Sequence, residues 1–93
     1  MSKKSPLPKR LKEARQAADL SQKKLGILCG IDEFSASARM NQYETGKHAP
    51  DYETLTRLAK VLKVPVAYFY AEDDGLSDLI KNYSSKIKGS RNK

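Results

Sequence analysis

The chain has one cysteine, Cys29, one histidine, His48, and no tryptophan. A lone cysteine excludes an internal disulfide, and one Cys with one His cannot supply the ligands of a structural zinc site. No apolar run approaches the ~20 residues that a bilayer span requires. The basic start "MSKKSPLPKR" is followed by no apolar segment, so it does not read as a secretory signal. Also missing are a phosphate-cradling glycine-rich loop and a His–carboxylate–nucleophile set. Neither an enzyme nor a cofactor is expected, and the cytoplasm is the expected compartment.

What is there is positive charge. Ninety-three residues suffice for one small domain. A formal charge of +7 points to a polyanionic partner, nucleic acid before a membrane surface. The excess lies at the ends. Residues 1–12 carry five Lys/Arg and no acid, and residues 76–93 carry five against Asp78 alone. Residues 13–75 hold eight basic and ten acidic side chains, so any anion-binding there depends on placement.

Apolar residues recur at helical spacing, with no period-2 strand pattern. Leu7, Leu11, Ala14 and Ala18 mark one face of a first helix, which Pro8 can open. Ser21 can cap a second helix with Leu25, Leu28 and Cys29 as its buried stripe. Gly30 ends it, "IDEFS" reads as a connection, and Ser35 is the expected cap of a third helix running to Thr45 and closed by Gly46. Asp51 can cap a fourth helix carrying Leu55, Leu58, Ala59 and Leu62. Pro65 restarts a short turn with Val66, Phe69 and Tyr70 inward. Leu76, Leu79, Ile80, Tyr83 and Ile87 suit a further amphipathic helix over 76–88, ahead of a disordered "KGSRNK". The organisation expected is a basic arm at 1–6, an all-α domain at 7–71 and a basic extension at 72–93.

Gly26 lies mid-way along the second helix, where a steep crossing leaves room for almost no side chain, and Gly30 can take the positive φ of the turn. Met40 and Tyr43 can anchor the third helix on the other two. That is what a helix-turn-helix needs if its second helix is to project its outer face freely. Through "LKEAR…LSQKKLGILCG" and "MNQYETGKHAPDYETLTRLAKVLKVPVAYFY", the chain resembles the phage repressor and Cro-like (Xre-type) helix-turn-helix regulators. The resemblance covers about Leu11 to Tyr70. It implies a compact five-helix DNA-binding bundle, here with an extra C-terminal helix, that binds operator DNA as a homodimer. The connection "IDEFSASA" is about four residues longer than the family's usual turn, so helix 3 is aligned backward from Glu44.

So aligned, Ala38, Asn41, Gln42 and Thr45 share one face, with Ser37 beside them. The resemblance implies base contacts at Ser37, Ala38 and Gln42, with Arg39 and Asn41 adjacent. Gln and Asn suit the adenine edge, Arg suits guanine, and Ala suits a thymine methyl. The plain alternative is a solvated helix face. Gln22 is implied as a phosphate clamp, and Thr45, Lys47, His48 and Arg15 as further backbone contacts. Arg15 and Glu44 match a family ion pair tying helix 1 to the end of helix 3. Tyr68, Phe69 and Tyr70 could form a stacking platform, but core or dimer contact suits their setting better. Phe69, Tyr70, Leu76, Ile80 and Tyr83 are the dimer candidates. The function expected is sequence-specific transcriptional regulation, repression before activation, on near-palindromic double-stranded DNA. The alternative is an antitoxin or co-regulator that mainly holds a partner protein through its C-terminal stripe.

Overall fold

Pro8 sits in the first turn of helix α1 (Leu7–Ala17), where a backbone N–H has no helical partner to lose. The computed structural model describes the backbone of residues 4–91, with side chains through Tyr83. Leu7, Leu11 and Ala14 are buried, whereas Ala18 lies beyond the end of α1 and is exposed, contrary to expectation. Asp19, at φ +60, closes the helix with Leu20 N–H donating to the Arg15 carbonyl.

Helix α2 (Gln22–Leu28) is capped by Ser21, whose hydroxyl accepts from Lys24 N–H at 3.0 Å. Its end is a Schellman turn: Ile31 N–H donates to the Gly26 carbonyl and Gly30 N–H to that of Ile27, with Gly30 at φ +87. Leu25 and Cys29 reach the core, but Leu28 is 48% exposed. The seven-residue helix can bury only one narrow stripe, and Leu28 falls outside it. Burial pushes the Cys29 thiol up to about 11, so it acts as a small core hydrophobe.

Helix α3 runs from Glu33 to Thr45. "IDEFS" is therefore not a connection, and Ser35 is not the cap. Asp32 caps the helix instead, accepting from Phe34 N–H at 3.0 Å. Glu33, Phe34 and Ser35 of that stretch form the first turn of α3. Gly46, at φ +80, ends it.

Asp51 caps α4 (Tyr52–Leu62), whose buried side chains are Leu55, Leu58, Ala59 and Leu62. Pro65 leads into a 3-10 turn (Val66–Tyr70), in which Tyr68 and Phe69 are buried and in edge-to-face contact. Tyr70, expected inward, is 53% exposed. A 3-10 turn of three residues per revolution cannot bring three consecutive aromatics inside.

Helix α5 (Asp74–Arg91) starts two residues before the expected boundary and continues through the stretch expected to be disordered as far as Arg91. The Ile87 side chain and residues 1–3, 92 and 93 lie outside the described residues. One core joins α1 to α4 and the 3-10 turn, and Ile80 packs against its edge. Among the described residues there is no strand, no helix long and apolar enough to cross a membrane, and no group of three His, Cys, Asp or Glu that could hold a metal.

Candidate nucleic-acid interface

Gly26 and Ala36 set how closely α2 and α3 cross. A Cβ on Gly26 would lie 2.7 Å from the Ala36 Cβ and 3.0 Å from its Cα and carbonyl oxygen. The close crossing seats Ala36 and Met40, both wholly buried, together with Tyr43. The opposite side of α3 is left to solvent: Ser37, Ala38, Arg39, Asn41 and Thr45 are exposed, and Gln42 is half-buried. The Thr45 hydroxyl donates back to the Asn41 carbonyl at 2.9 Å, so its outward atom is the methyl group.

A polar lattice fixes α3 from behind. Arg15 Nε donates to Glu44 Oε2 at 2.5 Å, and Arg15 Nη2 to Oε1 at 3.1 Å. The remaining fork nitrogen of Arg15 donates to the Leu20 carbonyl at 2.8 Å. The Glu44 side chain is 2% exposed and that of Arg15 12%. Three of the five Arg15 N–H groups thus hold α1, the α1–α2 turn and α3 together. Gln22, at the start of α2, donates its amide N–H groups to Glu44 Oε1 at 3.2 Å and to Asn41 Oδ1 at 3.3 Å. That bond occupies the Asn41 oxygen and leaves its NH2 group turned toward any acceptor outside. Beyond Gly46, Lys47 and His48 are exposed on the following loop.

The sequence profile of a helix-turn-helix domain matches residues 7–68, two-thirds of the chain. The chain belongs to the helix-turn-helix domain family. This is the kind of family that the motifs from Leu11 to Tyr70 resemble. Among solved structures, the chain is similar to the crystal structure of the transcriptional regulator BswR, with 52% identity and a TM-score of 0.81. The match covers 90% of this chain and 88% of that one. No curated protein matches it.

Within the helix-turn-helix, α2 is the supporting helix and α3 the projecting one. One of the dimer candidates named from the sequence ends up elsewhere. Phe69 is wholly inside the chain's own core, so it cannot form part of a dimer surface. Ile80 is only partly exposed, while its neighbours Leu76, Leu79 and Tyr83 are 46%, 68% and 67% exposed and form the outward stripe of α5.

Sequence reasoning missed Arg10. It lies in a basic run, yet it is 1% exposed. Its Nε donates to the Ala71 carbonyl at 2.8 Å, one fork nitrogen to Asp74 Oδ1 at 2.9 Å and the other to Glu13 Oε1 at 3.0 Å. The Tyr68 hydroxyl donates to the same Glu13 carboxylate, and burial followed by that bond pushes its pKa up. Arg10 thus ties α1 to the root of α5. Only the Leu7, Leu11, Ala14 stripe beside it hinted at an inward direction.

Proposed function

We propose that the protein is a sequence-specific DNA-binding transcriptional regulator that inserts α3 into the major groove. The observation that carries this is the outward face of α3, where Ser37, Ala38, Asn41 and Thr45 project with Gln42 at their edge. Gln42 suits the N6/N7 edge of adenine, and Ala38 suits a thymine methyl. Asn41, its oxygen taken by Gln22, offers a donor to a purine acceptor. Arg39 flanks the stripe with a fork suited to guanine, each good bidentate pair being worth ~1–3 kcal/mol of discrimination. Lys47, His48 and the N-terminus of α2 at Gln22 approach the phosphates, with Thr45 and Arg15 behind them. The basic ends add sequence-independent, salt-sensitive affinity.

The α5 stripe of Leu76, Leu79 and Tyr83 supports a homodimer. Two copies would set their α3 helices about one helical turn apart on a near-palindromic operator. Repression is the proposed mode, because occupancy alone can block an overlapping promoter, whereas activation needs a dedicated polymerase contact. The same apolar stripe also favours a second reading, an antitoxin or co-regulator holding a partner protein. A stoichiometric partner that co-purifies and is lost on truncation after Gly75 would support it.

In-vitro selection from random duplexes, with wild type and Gln42→Ala in parallel, tests the main reading. A near-palindromic motif that relaxes at one symmetric position in the variant is the expected result. If wild type enriches no motif, operator reading is wrong.

A further inference from the structure

The first turn of α3 carries Phe34, which is 94% exposed. At 3.6 residues per turn, Phe34, Ala38, Asn41 and Thr45 fall within about 60° of one another around the helix. They are the side opposite buried Ala36, Met40 and Tyr43. Phe34 therefore extends the outward stripe by about 6 Å toward the N-terminal tip of α3. We propose that Phe34 reads the operator, laying its ring against thymine C5-methyl groups one step beyond the bases met by Ala38 and Gln42. This rests on α3 being the reading helix, as argued above.

The surroundings of the ring select among its possible contacts. Asp32 and Glu33 stand at the same tip, Asp32 as the cap and Glu33 with a carboxylate oxygen 3.9 Å from Lys23 Nζ. Two carboxylates repel a phosphate, so this end is unsuited to clamping the backbone. The ring itself has no hydrogen-bonding atom to offer a base edge. The thymine methyl is the apolar feature of the major groove and a recognised match for Phe. A protein-docking patch would need apolar neighbours, but the exposed side chains flanking Phe34 along the chain are Asp32, Glu33, Ser37 and Ala38, with Ile31 partly and Ala36 wholly buried. The contact would widen the site read by α3 beyond the bases met by Ala38 and Gln42.

The test uses the full chain. Selection from random duplexes is run with wild type, Phe34→Ala and Gln42→Ala, and each variant's thermal melt is compared with wild type. The ring is 94% exposed, so Phe34→Ala should melt as wild type does. Its motif should lose a thymine preference at one symmetry-related pair of positions, outside those altered by Gln42→Ala. Replacing those thymines by deoxyuridine, which lacks the methyl, should weaken wild-type binding about fourfold per site and leave Phe34→Ala unaffected. A wild-type motif unchanged in Phe34→Ala, or a loss equal on specific and random duplexes, would overturn this inference alone. A wild type without any motif would overturn the operator reading as well.

Discussion

Arg15 and Glu44 show why a buried ion pair can matter more for geometry than for stability. Taking both charges out of water costs about as much as their attraction returns, so the pair as a whole contributes little. Removing one partner is different, because the other remains buried and unpaired. Arg15→Ala and Glu44→Ala should each destabilise the fold by about 3–5 kcal/mol in urea titrations. The double variant should lose less than either single one. Additive losses would mean that the two side chains act independently. Gln22 shares the Glu44 carboxylate, so the Glu44 variant should also free the Gln22 amide and shift operator affinity more than its stability loss explains.

Helix α2 is short, and its usefulness lies in how closely it lets α3 approach. Gly26→Ala would gain about 1 kcal/mol in helix propensity. Its Cβ would, however, meet backbone atoms of Ala36 at 3.0 Å, which no rotamer change can relieve. The clash should win, with a net loss of about 1–3 kcal/mol and weaker operator binding. An unchanged denaturation midpoint would show that the crossing relaxes freely. At the other end of α1, Arg10 holds the root of α5 through Asp74, whose carboxyl is kept below its ordinary value by hydrogen bonds from Arg10 and Lys9. A depressed carboxylate stabilises the fold above its unfolded value near 3.9 and loses that contribution as pH falls further, through its folded value. Acidification below about pH 4 should therefore loosen α5, and Asp74→Asn should flatten the acid limb of the urea midpoint. Identical acid limbs would remove Asp74 from that role.

Two copies joined through α5 would present two α3 helices at once, and the affinity of the whole would then exceed that of one domain by mass action. Leu79→Lys places a charge in the exposed stripe without touching the core. Sedimentation should then give a monomer, and affinity for the full operator should fall by about 100-fold, while binding to a single half-site stays unchanged. A variant that remains dimeric would move the interface away from α5.

Much of this fold can be read from neighbours within four residues. Ser21 and Asp51 cap their helices, Gly30 and Gly46 close theirs, and the stripes through Leu11 and Leu58 fall inside, because such preferences belong to the local backbone and its nearest side chains. The fold class followed from them. The start of α3 did not. Asp32 and Ser35 are both good caps, and α3 begins at the earlier one, packing its Ala36 against Gly26 across the turn. Tyr68, Phe69 and Tyr70 are alike in sequence, but only the packing of the 3-10 turn puts the first two inside and the third out. Arg10 looked like one more surface cation, since its partners Ala71 and Asp74 lie 61 and 64 residues further on. Local chemistry determined the helices and the outward polar face of α3. Where α3 begins and which cation is buried depended on contacts distant in sequence, and these exist only once the helices have packed.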